Sequence, residues 1–202
     1  MTFMNDFSLY EYLTTSAKYK TQGKVKLKEF EKGEYIYLPN SPQNYIYLIE
    51  SGVVKIGSYA SNGEKVIYDV LTPGETFGNL NYLGEDVPFF EFAQAISGAQ
   101  TSVYELNFFK QMIVHDPIVS EWFNITVVGR WSKAETRLLY MTRGNIEARL
   151  ENLQKELSHE IKDKRGVVHN VFNLLSQQDI ADLTGTTRQT VAKKLRSLDS
   201  SL

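Results

Sequence analysis

Between Gly23 and Leu106 the chain repeats one pattern, a short apolar segment followed by a turn signal. The apolar segments are VKLKEF, YIYL, YIYLIE, VVKIGSYA, KVIYDV, FAQAI and SVYEL. The turn signals between them are rich in Gly, Pro, Asn and Ser. Many short strands spaced in this way are typical of an antiparallel sandwich or barrel. Asn62-Gly63 is the strongest hairpin signal, because Asn and Gly both tolerate the positive φ angles of a tight turn.

Helical periodicity flanks this β-rich region. A short amphipathic helix is predicted near Asp6–Lys18, and a long helix is predicted from Asp116-Pro117 to about Met141. The long helix has two apolar faces. One is a heptad seam of Ile118, Trp122, Ile125, Gly129, Ser132, Thr136 and Leu139; the other contains Phe123, Val127, Ala134 and Leu138. A second face favours a partner helix, most simply that of a second copy, although one wide buried face in a monomer is the alternative.

After a break at Arg143-Gly144-Asn145, the pattern predicts a helix from Ile146 to about Ile161, then a polar turn and a strand. The last part, LLSQQDIADLTGTTRQTVAKKLRSL, predicts two short helices joined by a tight turn at Gly185. Ser176 is placed to cap the first helix, and Thr186 or Thr187 the second.

The second of these helices has two different faces. Val191, Leu195 and Leu198 form an apolar face. The outward face carries Arg188, Gln189, Ala192, Lys193 and Arg196. A slim helix with cations for phosphates and forked donors for base edges suits the major groove of DNA. The alternative is an ordinary helical hairpin with a solvated charged face.

Composition restricts the classes of function. The 202-residue chain contains no Cys, which excludes disulfides, thiolate nucleophiles and Cys-ligated metal centres. Residues 1–142 carry a net charge of −4 and residues 143–202 one of +2, which argues against a generally basic nucleic-acid-binding surface but leaves room for a focused basic site. No apolar run is long enough to span a bilayer, and the N-terminal residues lack a secretory signal, so the expected location is the cytoplasm.

The order of a β-rich domain, a long helix and a helix-turn-helix resembles the Crp/Fnr family of bacterial transcription regulators. The core GEYIYLPNSPQNYIYLIESGVVKIGSYASNGEKVIYDVLTPGETFGNL is similar to the family's cyclic-nucleotide-binding β-roll. The resemblance implies an α+β fold: a β-roll sensor over residues 1–115, a dimerisation helix over 116–142 and a winged-helix-type DNA-binding domain over 143–202. It implies a homodimer on a pseudo-palindromic DNA site, with recognition helices roughly 34 Å apart. RNA polymerase and an unknown small-molecule effector are further partners that the resemblance allows; no membrane association is expected.

The resemblance also implies roles for individual residues. Base contacts fall on Arg188, Gln189 and Lys193, since Arg suits guanine and Gln suits adenine. Contacts with the DNA backbone fall on Ser176, Gln177, Thr187, Thr190 and Lys194. Lys194 replaces an apolar residue of the family and is expected to reach a phosphate. The family's β-hairpin wing is expected to be short or missing, either in the natural protein or because the sequence is shortened.

The cassette that binds cyclic nucleotides in the family is degenerate in this chain. Asn79 follows the cassette glycine, Gly78, where cAMP-binding members have Glu. Glu91 and Phe92 stand where those members have the Arg-Ser pair that binds the cyclic phosphate. The 44 residues between Lys65 and Lys110 contain no Lys or Arg. Replacing Arg with Glu about 4 Å from a phosphate turns attraction of about 4 kcal/mol into similar repulsion, which predicts no useful affinity for cAMP.

Two questions stay open at this point. The aromatic residues Phe77, Tyr82, Phe89, Phe90 and Phe92 either line a small apolar pocket or, as we favour, fill the core of the roll. The leading hypothesis is a non-enzymatic DNA-binding regulator without cofactor or metal, since His115, His159 and His169 have no ligand spacing. The alternative is a non-catalytic dimeric sensor or interaction protein with weak or no DNA binding.

Overall fold

A computed structural model describes residues 7–19, 23–39, 41, 44–80 and 90–199, without the side chains of residues 198 and 199. Two four-stranded antiparallel sheets form the β-rich domain. The strands in chain order are β1 (Val25–Phe30), β2 (Tyr35–Tyr37), β3 (Tyr45–Ser51), β4 (Val54–Tyr59), β5 (Lys65–Leu71), β6 (Thr76–Phe77), β7 (Glu91–Ala95) and β8 (Ala99–Glu105). One sheet has the order β1-β8-β3-β6 and the other β2-β7-β4-β5.

All seven predicted strand segments are present, and the α+β fold class is confirmed. The Asn62-Gly63 turn joins β4 to β5, with the Asn62 side chain accepting the Glu64 amide at 3.0 Å. A core of apolar side chains from both sheets fills the space between them, including Tyr47, Ile56, Phe77 and Val103.

Three helices surround the first sheet. They are α1 (Leu9–Thr15), α2 (Leu106–His115) and α3 (Pro117–Arg143). Their apolar faces form a second core with β3 and β8, around Leu13, Tyr104, Phe109 and Trp122. The prediction did not include α2, although Glu105 caps it by accepting the amides of Asn107 and Phe108. Its aromatic and β-branched residues continue the composition of the strands, which concealed its periodicity.

The region after α3 differs from the prediction at one boundary. Helix α4 covers Ile146–Leu157 and ends before Ile161. Residues Glu160–Lys162 form β9, which pairs with β10 (Val168–Asn170) in an antiparallel hairpin. The Lys162 carbonyl also accepts the Gly52 amide from the β-roll at 2.9 Å. Backbone pairing with distant residues therefore overrides the local helical pattern at Ile161.

A 3-10 turn at Phe172–Leu174 leads into α5 (Gln177–Thr184) and α6 (Arg188–Asp199). A third core joins these helices and α4 to the outer face of the second sheet; it includes Ile67, Phe92, Leu153, Ile180 and Val191. The predicted domain boundaries at residues 116 and 143 stay predictions. The third core contains residues from both sides of these boundaries. The prediction about a wing concerns residues after α6, and residues 200–202 lie outside the described part of the chain. Among the described helices, none is both long and apolar enough to cross a membrane.

Candidate nucleic-acid interface and ligand cavity

The turn between α5 and α6 is built by local hydrogen bonds. Ser176 and Asp179 cap α5 reciprocally, each accepting the other's backbone amide. Gly185 ends α5 in the left-handed conformation, with φ at +61°, which a side chain would strain. Thr187 then accepts the Thr190 amide at 3.2 Å and so caps the start of α6. These bonds produce the helix-turn-helix that the sequence predicts.

Helix α6 presents its polar face outward. Val191 is fully buried against α5, and Leu195 is partly buried in the same core. Arg188, Gln189 and Lys193, the predicted base-contacting residues, are exposed on the other side. Arg196 is exposed as well, and Ala192 is half-buried between the two faces. The arrangement can donate several charge-assisted hydrogen bonds to one linear groove.

The predicted backbone-contacting residues fall into two groups. Ser176 and Gln177 are exposed at the start of α5, and Thr187 is exposed at the start of α6 with Thr190 half-buried beside it. Lys194 differs, because its ammonium group donates to the Glu147 carboxylate of α4. The prediction that Lys194 reaches a DNA phosphate stays a prediction, and in this structure the partner of Lys194 is Glu147. The ion pair directs the Lys194 side chain toward α4.

A cavity of about 440 Å³ lies between the β-roll and α3. Its described lining is mostly apolar: Ile46, Thr76, Phe77, Gly78, Leu80, Phe109, Phe123, Thr126, Val127, Arg130, Trp131 and Ala134. Gly78 has φ at +110°, and a Cβ there would lie 2.9 Å from the Tyr45 carbonyl oxygen, so the chain needs glycine at this wall. Among these lining residues Arg130 is the one charged side chain. Its guanidinium donates to Asp69 at 3.1 Å and to the Thr76 carbonyl at 3.1 Å.

The aromatic residues of the cassette region separate in the structure. Phe77 lines the cavity, and Phe90 is largely exposed. Phe92 is buried in the core beneath α5, with its ring against Tyr35 and Tyr59, which is the core position that the sequence favours for it. Tyr82 and Phe89 lie outside the described residues. Asn79 is half-buried next to Gly78.

Glu91 points to the opposite face of β7 from Phe92, as strand alternation requires. Its carboxylate accepts the hydroxyls of Tyr37 and Tyr68, the latter at 2.5 Å. Burial and the nearby carboxylate raise the pKa of both tyrosine hydroxyls, so both stay protonated and keep donating. Glu91 thus presents a carboxylate that accepts hydrogen bonds from two neutral tyrosines. A carboxylate at this position would repel a phosphate group.

Helix α3 leaves most of its predicted seam uncovered. Ile118 is 45% and Ile125 is 52% exposed, and an added Cβ at Gly129 would meet nothing within 4 Å. Thr136 is exposed in the same row. Trp122 is only 7% exposed and packs in the core beside Phe7, so its place in an intermolecular seam is corrected. Trp122 lies about 40° around the helix from Ile118 and about 60° from Ile125. It is on the side of Val119, and both residues pack in the core of their own domain.

Sequence reasoning overlooked a row of cations on the other side of α3. Arg130, Lys133 and Arg137 bind acids of the β-roll and of α4: Arg130 and Arg137 bind Asp69, Lys133 binds Glu75, and Arg137 also binds Glu156. Their spacing of three and four residues places them on one helical face. That spacing was visible in the sequence, but the acids that bind them are more than 50 residues away, except Glu156.

Comparison with known proteins agrees with this architecture. Residues 27–116 match the model of the cyclic nucleotide-binding domain. The chain is 25% identical over 167 residues to a "CRP-like cAMP-activated global transcriptional regulator" of Mycobacterium tuberculosis, covering 83% of this chain and 74% of that protein. It is also 25% identical to the "Global nitrogen regulator" of Synechococcus elongatus, covering 88% of this chain and 80% of that one.

Solved structures share the fold. FixK2 from Bradyrhizobium japonicum superposes with a TM-score of 0.69 at 22% identity, covering 88% of this chain and 85% of FixK2. A CooA variant from Carboxydothermus hydrogenoformans gives a TM-score of 0.70 at 21% identity, covering 98% and 87%. The chain thus contains a cyclic nucleotide-binding-type domain, and over most of its length it is similar to CRP-like transcription regulators.

Proposed function

We propose that this chain is a dimeric, sequence-specific DNA-binding regulator whose effector is not cAMP. The observation that carries the proposal is the exposed polar face of α6, which presents Arg188, Gln189 and Lys193 opposite a buried apolar face. A helix anchored in this way can enter the major groove without losing its own core contacts. Contact with RNA polymerase stays a prediction of the family resemblance.

The uncovered face of α3 supports the dimer. The helix has 27 residues, so it is about 40 Å long, and Ile118, Ile125 and Gly129 recur along one side of it. Exposed isoleucines and a glycine on one side of a helix are typical of a face that packs against another helix. A second copy is the simplest partner because the same row then serves both sides of a two-fold interface.

The DNA-binding proposal is tested by selecting duplexes from a random library with the full-length chain, then measuring affinity by fluorescence anisotropy. We expect a pseudo-palindrome with half-sites about one helical turn apart. Arg188→Ala is expected to weaken binding by about 1–3 kcal/mol per half-site and to relax preference at one base pair. Arg143→Ala removes the same charge from an exposed position at the end of α3 and serves as the control.

Two results would contradict this proposal in different ways. Equal affinity of the wild type and Arg188→Ala would remove the assignment of base contacts to α6. Failure to enrich any sequence would instead favour the alternative, a dimeric sensor that acts through protein contacts.

The cavity supports the second part of the proposal. Its described walls are mostly apolar, and Arg130 is already paired with Asp69. A small and largely apolar effector fits such a lining better than a cyclic phosphate does. Isothermal titration with cAMP is expected to give no saturable heat, with a cAMP-binding relative as the positive control. Micromolar affinity for cAMP would refute this part of the proposal.

A further inference from the structure

The β4–β5 hairpin of the roll holds the first helix of the helix-turn-helix by two separate bonds. The Lys55 ammonium group on β4 donates to the Asp179 carboxylate at 2.8 Å. The Ile67 amide on β5 donates to the Asp182 carboxylate at 3.0 Å. Asp179 and Asp182 are three residues apart, so they share the face of α5 that lies on the hairpin.

The Lys55–Asp179 pair is largely removed from solvent at this junction. The side chains are 17% and 7% exposed, respectively. Buried ion pairs demand good geometry, because both charges have lost their hydration, and removing one partner leaves the other uncompensated. Such a pair specifies one relative position of two elements more strongly than apolar packing alone does. Here the two elements are the sensor sheet and α5.

Asp179 also links this contact to the surface predicted to bind DNA. Its second carboxylate oxygen accepts both the amide and the hydroxyl of Ser176, at 3.0 and 2.7 Å. One carboxylate therefore joins Lys55 of the roll to the N-terminus of α5. Helix α5 in turn carries α6 through the buried contact between Ile180, Leu183 and Val191.

Helix α3 also binds this hairpin, through ion pairs with β5. Asp69 on β5 accepts Arg130 at 3.1 Å and Arg137 at 3.4 Å, and Arg130 lines the cavity. Asp69 lies two residues beyond Ile67, which binds Asp182. The β4–β5 hairpin thus contacts both the cavity-lining helix and the helix-turn-helix.

We infer that Lys55, a residue of the sensor roll, is a positioning residue for DNA binding that orients the helix-turn-helix through Asp179. This inference rests on the proposed function. It extends that function by assigning the contact through which the sensor sheet sets the direction of α6. In this role Lys55 acts through Asp179 and not through a contact with DNA.

The test compares Lys55→Met, which keeps the aliphatic stem and removes the charge, with the wild type on the selected duplex. We expect the variant to bind the duplex about tenfold more weakly, because Asp179 has lost its ion-pair partner and no longer holds α5 on the hairpin. Hydrogen exchange in residues 177–191 should become faster while exchange in β1 and β8 stays unchanged. Lys55→Arg keeps a cation and should restore binding to within about threefold. Asp182→Ala, which removes the second bond, should act in the same direction.

The matched control is Lys133→Met, which breaks an ion pair of similar length, 2.7 Å to Glu75, outside this junction. Because Lys133 is 49% exposed, its loss should change DNA affinity by less than about twofold. Unchanged or tighter DNA binding by Lys55→Met overturns the inference, and so does equal weakening by Lys133→Met. If the wild type enriches no duplex, the proposed function fails, whereas hydrogen exchange still shows whether Lys55 holds α5.

Discussion

Asp116 combines several roles in one side chain. It caps α3 by accepting the amides of Ile118 and Val119, and it is 2% exposed. It also accepts the Tyr12 hydroxyl at 3.0 Å and the Lys18 ammonium group at 3.1 Å, which attaches the N-terminal segment to α3. Burial alone would raise the pKa of Asp116, but these hydrogen bonds outweigh it and hold the pKa below the ordinary value of 3.8.

Replacing Asp116 is expected to destabilise the protein in a pH-dependent way. Asp116→Ala should lower the free energy of unfolding by about 2 kcal/mol at pH 7, through loss of the helix cap and of the buried acceptor. A carboxylate with a lowered folded pKa stabilises above its unfolded pKa, and this contribution disappears as pH falls through the folded value. The difference from the wild type should therefore shrink below about pH 4. Urea unfolding at pH 7 and pH 3 measures it.

Glu121→Ala is the control, since this exposed residue of α3 should change stability by less than about 0.5 kcal/mol. A pH-independent effect of Asp116→Ala would show that packing, and not the ionised carboxylate, dominates at this position.

Helix α3 has one face that binds the rest of the chain and another face that is uncovered. Its cationic row binds the roll and α4, with Arg137 reaching Glu156 at 2.7 Å. Its uncovered face carries Ile118 and Ile125. Because different residues serve the two faces, a substitution can break the proposed intermolecular contact without disturbing the fold of the chain.

We expect Ile125→Asp to convert the dimer into a monomer, because it places a desolvated charge in the centre of the seam. Leu138→Asp is the matched control: Leu138 is 61% exposed but lies about 140° away around the helix. Sedimentation velocity should give monomer for the first variant and dimer for the second. If Ile125→Asp still forms a dimer, or if Leu138→Asp is a monomer, the interface lies on another face of the helix.

The β-roll and the C-terminal helices share one hydrophobic core. Leu150, Leu153 and Leu157 of α4 pack in the same cluster as Val53, Ile67 and Val70 of the roll. Elements that share one core tend to unfold together. The helix-turn-helix is therefore attached to the sensor roll by packing as well as by the chain.

Leu153→Ala should destabilise both the β-roll and the C-terminal helices. Leu153 is 2% exposed, and losing a buried leucine costs about 2–5 kcal/mol. Hydrogen exchange should become faster in β5 and in α6 alike, with one calorimetric transition at a lower temperature. Lys155→Ala on the exposed side of the same helix is the control. Faster exchange in α6 with no change in β5 would mean that the two ends unfold independently.

Features that depend on neighbouring residues could be predicted from the sequence. The seven strand segments follow from their composition and from turn residues such as Asn62-Gly63. The helix-turn-helix follows from the cap at Ser176, the glycine at 185 and the spacing of Val191 and Leu195. These signals are local, because capping, turn geometry and side-chain periodicity act within a few residues.

The tertiary structure decided the features that depend on distant partners. It turned Trp122 into a core residue, paired Lys194 with Glu147, and placed Phe92 beneath α5. It also joined Lys55 to Asp179, which is 124 positions away in the chain. Periodicity and composition identify a buried or charged face, but they do not identify its partner. Which groups meet across such a separation is set by packing the two sheets and the helices into shared cores.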